Sequence, residues 1–114
     1  MNRQERLAYV EKRDQEYRAK LKDLADEQSR LEKMAQARKV RAADLEQEQR
    51  DLAAHAVDAG DVERSILVTG YGKAVSELAL IPAELKVIGE RIDRLNKQIG
   101  ALQNDPFSVR RPNG

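Results

Sequence analysis

Counting in steps of three and four from Leu7 picks out Leu7, Val10, Asp14, Tyr17, Leu21, Leu24, Gln28, Leu31, Ala35, Arg38, Ala42, Leu45, Gln49 and Leu52. Ten of these fourteen positions are apolar or alanine, and the phase never slips. Residues three and four apart share one face of a helix. The pattern is therefore a heptad stripe, that of a long helix burying one narrow seam against other helices. It predicts a first helix over about residues 3–56, with no Gly or Pro inside it. At 1.5 Å per residue such a helix is roughly 80 Å long. Acid-before-base pairs at i, i+4 (Asp14–Arg18, Glu16–Lys20, Asp26–Arg30, Glu46–Arg50) add about 0.2–0.5 kcal/mol each on its exposed faces. Asp14, Gln28, Arg38 and Gln49 interrupt the stripe. Either they set register, as polar seam residues do, or the stripe is open there and long side chains snorkel.

A second stripe follows: Leu78, Ile81, Leu85, Ile88, Ile92, Leu95, Ile99 and Leu102, all Leu or Ile at the same spacing. It predicts a second helix over 73–103. Pro82 lies within it, and the unbroken phase favours a continuous helix kinked there over a fresh start. Asn104-Asp105-Pro106 ends it. Residues 105–114 then form an extended or disordered tail.

The connection is read as a tip over 57–72. Gly60 can take a left-handed conformation and end a helix, and Asp61 is a candidate N-cap. Ser65-Ile66-Leu67-Val68-Thr69 has the β-branched run of a short strand, closed by Gly70-Tyr71-Gly72. A helical turn broken at the glycines is the alternative.

Two amphipathic helices on a short connection fold back on each other. The expected fold is all-α: one domain over 1–104, an antiparallel coiled-coil hairpin with an irregular or short-β tip. The second helix, roughly 46 Å long, covers the first back to about residue 25. Leu7, Val10, Tyr17, Leu21 and Leu24 then overhang as a partner interface. Leu31, Leu45 and Leu52 pack with the eight Leu and Ile of the second stripe. A hairpin core is thin, and burying a Leu or Val stabilises by about 1.5–3 kcal/mol. Another chain is therefore expected to complete the overhang.

Composition agrees. In 114 residues, 36% are charged and only 4% aromatic, the balance of long helices with little bulk to fill a compact core. A net charge of +1 with no single-sign tail gives no pull toward nucleic acid or an anionic membrane. The N-terminus has no apolar signal core, and no apolar run approaches about 20 residues. The expected setting is cytoplasmic or within an intracellularly assembled particle.

Chemistry is sparse. With no Cys and one His, disulfides, thiolate zinc sites and cysteine nucleophiles are excluded, and His55 alone is a poor start for a metal site. Gly70-Tyr71-Gly72-Lys73 lacks the first glycine of a phosphate loop and the Ser or Thr after its lysine. Arg38-Lys39-Val40-Arg41 spreads over a wide helical arc flanked by acids and reads as a solvated face. Phe107 beside Arg110 and Arg111 forms a candidate docking peptide in the tail. Cofactors and small-molecule substrates are not expected.

Two short segments carry local resemblances to known families. Gly60-Asp61-Val62, with Asp58 and Glu63 nearby, resembles the acidic hairpin tip of bacterial transcript-cleavage factors, which implies a tip entering a polymerase channel. Arg64-Ser65 departs from that motif, and capping carboxylates are the stronger reading. Ile66-Leu67-Val68-Thr69 followed by Lys73-Ala74-Val75-Ser76-Glu77-Leu78 resembles the entry to the second helix of β-type prefoldin subunits, which implies a small chaperone. The first hairpin strand of that family is missing. Neither motif assigns a family. The functional expectation is a non-enzymatic assembly or adaptor protein that oligomerises or docks onto a larger complex, such as a phage particle or secretion machine. A prefoldin-like chaperone or hairpin-tip regulator of a polymerase is the alternative.

Overall fold

The computed structural model describes residues 2–104, all of them helical apart from the chain start, one turn and the final residue. Helix α1 runs Arg3–Ala56 and helix α2 runs Asp61–Gln103. The sequence supplies the start of α1. Asn2 Oδ1 accepts from the Glu5 backbone N–H at 2.8 Å, and its Nδ2 donates to Glu5 Oε1 at 3.2 Å. This cap satisfies one of the backbone donors that a helix start leaves open. At the other end His55 Nδ1 lies 2.7 Å from the Asp51 carbonyl oxygen. That oxygen can only accept, so Nδ1 carries the proton.

The connection is shorter than expected. Residues 57–60 make the turn, and α2 begins at Asp61, twelve residues before Lys73. Gly60 is the N-cap, because its carbonyl accepts the first helical bond, from Arg64 N at 2.7 Å. Its backbone lies outside the left-handed region. Asp61 and Glu63 sit inside the first turn instead, where negative charge is favourable against the helix dipole. Among the described residues there is no strand, so the short-β tip is corrected to helix. The reason is hydrogen bonding: a lone strand has no ladder for its N–H and C=O groups, whereas a helix satisfies them internally. Thr69 follows the same logic, its hydroxyl donating to the Ser65 carbonyl at 2.9 Å. Helix α2 continues through Pro82 without a break.

Packing divides the chain into two units. One is Glu32–Gly89, an antiparallel helical hairpin around the turn. Leu45, Ala74 and Ile81 form its buried cluster, flanked by half-buried Ala42, Leu78 and Leu85. Near the turn Gly70 packs against Leu52, where a Cβ would lie 3.4 Å from Leu52 Cδ1, an ordinary van der Waals distance. Arg41 grips Glu77 through two bonds, Nε to Oε2 at 2.5 Å and Nη2 to Oε1 at 2.9 Å. Arg38 lies 3.7 Å from Glu84.

The other unit comprises the described parts of Met1–Leu31 and Glu90–Gly114. Its two helix segments also run antiparallel. Gln28 hydrogen-bonds Asn96, Glu27 lies 3.5 Å from Arg91, and Lys20 and Leu24 share a cleft with Gln98, Ala101 and Leu102. Gln28 is thus a cross-helix polar contact, Arg38 an ion-pair partner, and Asp14 binds Arg18 at 2.8 Å along its own helix. Around the expected Asp26–Arg30 pair, Arg30 meets Glu27 and Lys22 reaches Asp26 at 3.5 Å.

Candidate interaction surface

Every residue expected in the hairpin core is buried or half-buried. Leu31, Leu45, Ile81 and Ile88 are buried, and Leu52, Leu78, Leu85, Ile92, Leu95, Ile99 and Leu102 are half-buried. The five residues expected to overhang divide. Leu7 and Val10 are 53% and 49% exposed, and neighbouring Tyr9 is 53% exposed. Leu21 and Leu24 are half-buried and Tyr17 is only 6% exposed. The physical cause is the earlier start of α2. Absorbing residues 61–72 into the helix moves its packing further back along α1, so Leu24 meets Leu102 in one cleft. The uncovered arm of α1 is shorter than the expectation. The Tyr17 hydroxyl is buried with no hydrogen-bond partner among the described residues. The candidate docking residues Phe107, Arg110 and Arg111 lie outside the described residues.

A second exposed feature was not anticipated. Residues 65–83 of α2 carry only two charges, Lys73 and Glu77. Ile66, Val68, Val75 and Leu80 are all exposed in this part of the helix, and Val62 is exposed just before it. Val68, Tyr71, Val75, Ala79 and Pro82 follow 3,4,4,3 spacing, which places them in one stripe beside the buried one. All five are exposed. Val68 and Tyr71 also form one wall of an apolar groove whose other residues are Leu52, Ala53, Ala56 and Leu67. The signal was legible. Leu67, Ala74 and Leu78 continue the inward seam backward at 7,4 spacing. The β-branched run and the glycines masked it.

Over an 18-residue window α2 reaches a mean hydropathy of 1.2, long and apolar enough by composition to cross a membrane, with 11% of that window buried. Glu77 within it is bound to Arg41, and α1 alongside carries Lys39, Asp44, Glu46, Glu48, Arg50 and Asp51.

The electrostatics of that ion pair are local. The hydrogen bonds from Arg41, with its positive charge, hold the Glu77 carboxyl below the usual carboxylate range, against partial desolvation. The same bonds raise the Arg41 guanidinium above its ordinary value. Both side chains are more than two-fifths exposed, so salt screens the pair. Among the described residues no group of three or more His, Cys, Asp or Glu could hold a metal ion. Comparison of the chain with protein-family models, curated proteins and solved structures finds no match.

Proposed function

We propose that this chain is a non-enzymatic helical assembly protein, a coiled-coil hairpin that works by packing its free apolar stripes against other helices. The partners are copies of itself or a larger complex, such as a phage particle or secretion machine, in the cytoplasm or in a particle assembled inside a cell. The observation that carries this reading is the N-terminal arm of α1, where the heptad stripe continues to Leu7 and Val10 while both side chains stay about half exposed. Apolar heptad positions left in water are the usual mark of an unfilled helix seam. The Arg41–Glu77 pair supports protein rather than lipid contact for the apolar half of α2. Entering hydrocarbon would strip this pair, and the charged face of α1 beside it, of water at several kcal/mol per charge.

Sedimentation velocity across a concentration series tests the reading. Wild type is expected to form species heavier than one chain. The double variant Leu7→Asp, Val10→Asp is expected to shift them toward the single chain with helicity unchanged, because both positions are exposed. Identical mass distributions for the two proteins overturn it.

A further inference from the structure

Burial does not fall steadily toward the free end of α1. Leu24 and Leu21 are half-buried, Tyr17 is only 6% exposed, and Val10 and Leu7 are about half exposed again. Tyr9, on the same helix, is 53% exposed and shows what a tyrosine keeps when little but its own helix surrounds it. Tyr17 therefore has a cover that Tyr9 lacks. Helix α2 does not reach far enough to be the whole of that cover. Leu24 shares a cleft with Leu102, the last residue of the second stripe, and α2 ends at Gln103. Tyr17 lies seven residues beyond Leu24, roughly 10 Å further along α1. A helical side chain also leans toward its own N-terminus, here further past the end of α2. The buried Tyr17 hydroxyl has no hydrogen-bond partner among the described residues, although a buried hydroxyl ordinarily has one.

We infer that the segment after α2 completes this seam: Phe107 packs on Tyr17 as a strap across α1, which leaves Leu7 and Val10 as the seam open to a partner. The inference rests on the assembly reading and sets the boundary of the surface that reading uses. Direction and length carry it. The contacts of Gln28 with Asn96 and of Leu24 with Leu102 point the C-terminal end of α2 along α1 toward Tyr17. Phe107 follows Asn104 by three residues. It falls roughly 5–10 Å further on, whether the chain there rises 1.5 or 3.3 Å per residue. Asn104 is two residues past Leu102, so about 7 Å remain to Tyr17, within that span. Pro106 favours the longer rise, because the residue before a proline is turned away from helical geometry. Phe107 is the only phenylalanine in the chain and the only aromatic ring after Asn104, and a ring is the side chain that covers another ring most fully. Asp105 and Ser108 flank it with oxygens able to accept from the Tyr17 hydroxyl. A second copy is the poorer occupant, because Tyr17 is covered in the single chain.

Tetranitromethane nitrates exposed tyrosine rings, and the rate at Tyr9, Tyr17 and Tyr71 is read on the full chain by peptide mass spectrometry at several protein concentrations. In wild type Tyr9 is expected to react roughly nine times faster than Tyr17, in proportion to their exposures of 53% and 6%. Phe107→Ala is expected to raise the Tyr17 rate several-fold toward that of Tyr9, with Tyr9 and Tyr71 unchanged. Phe107→Leu, which keeps an apolar cover, retains most of the protection, and Arg111→Ala, further along the tail, retains all of it. Helicity should match wild type in each, since position 107 lies beyond both helices. Because the chain contains no cysteine, a second measurement is independent of the ring's own contribution to stability. The Tyr17→Cys, Phe107→Cys double variant is expected to close an intrachain disulfide in a glutathione buffer more readily than Tyr9→Cys, Phe107→Cys, whose partner lies roughly 12 Å further along α1.

A wild-type Tyr17 nitrated as fast as Tyr9, a Tyr17 as protected in Phe107→Ala as in wild type, or equal disulfide closure by the two cysteine pairs overturns the inference. So does protection of Tyr17 that fades on dilution, which assigns the cover to a second copy. If nitration upholds the strap while wild type sediments as a single chain, the assembly reading falls and the strap stands. If wild type associates through Leu7 and Val10 while Phe107→Ala leaves Tyr17 protected, the strap falls and the assembly reading stands.

Discussion

The two halves of α2 solve different problems with the same backbone. From Glu84 onward one stripe of Leu and Ile is buried or half-buried, seven charged residues from Glu84 to Lys97 hold half of the remaining positions, and Val87 is the one large apolar side chain left exposed. That half asks for one neighbour. The half before Pro82 has the same inward stripe, but charges are nearly absent and Val68, Tyr71 and Val75 form part of a second stripe in solvent. A single stripe identifies a helix that is complete in a pair. The doubled stripe leaves apolar side chains in solvent that the pair does not cover, even though the local backbone is equally regular.

The largest effect that tests this contrast is in the cores. Ile81 is 2% exposed, so Ile81→Ala should cost about 2–5 kcal/mol in urea denaturation, the range for emptying a filled apolar site. Leu95, half-buried in the other unit, should cost about half as much when changed to Ala, because part of its surface already meets water. Equal losses would break the contrast between a sealed and an open seam.

Pro82 stands where the halves meet. It lacks the N–H that would bond the Leu78 carbonyl and costs up to about 3 kcal/mol in a helix interior. Pro82→Ala is expected to raise the melting temperature of the single chain. A lower melting temperature at concentrations where the chain is monomeric would show that the proline shape is needed within the hairpin itself.

The smallest effect is electrostatic. The lowered Glu77 pKa means that its contribution is fully present above the ordinary carboxylate range. It is lost as pH falls through the lowered folded value. The raised Arg41 value places the corresponding loss at extreme alkaline pH, outside the working range. Wild type and Glu77→Gln should therefore differ slightly in melting temperature at neutral pH and converge once the pH has fallen through the lowered folded value. Molar salt should erase the difference, because both groups are exposed. A difference that persists in acid would place its origin in packing rather than charge.

The two long helices, their apolar seams and the candidate hairpin core were all legible in the residues, because helical period is a local property: side chains three and four apart share a face wherever the chain lies. What a residue-by-residue reading mistook was the stretch 61–72. There the β-branched run and two glycines argued for a strand. Tertiary structure decided otherwise, because a strand needs a ladder partner that no other segment of the described chain provides, while α1 offers a seam for Leu67, Gly70 and Ala74 to join. The same decision reassigned Tyr17, Leu21 and Leu24 from free arm to packed helix, since where one helix stops depends on where the other starts. By itself the sequence determined which faces are apolar. Only the packing decided which of those faces are already covered, because exposure depends on both helices at once.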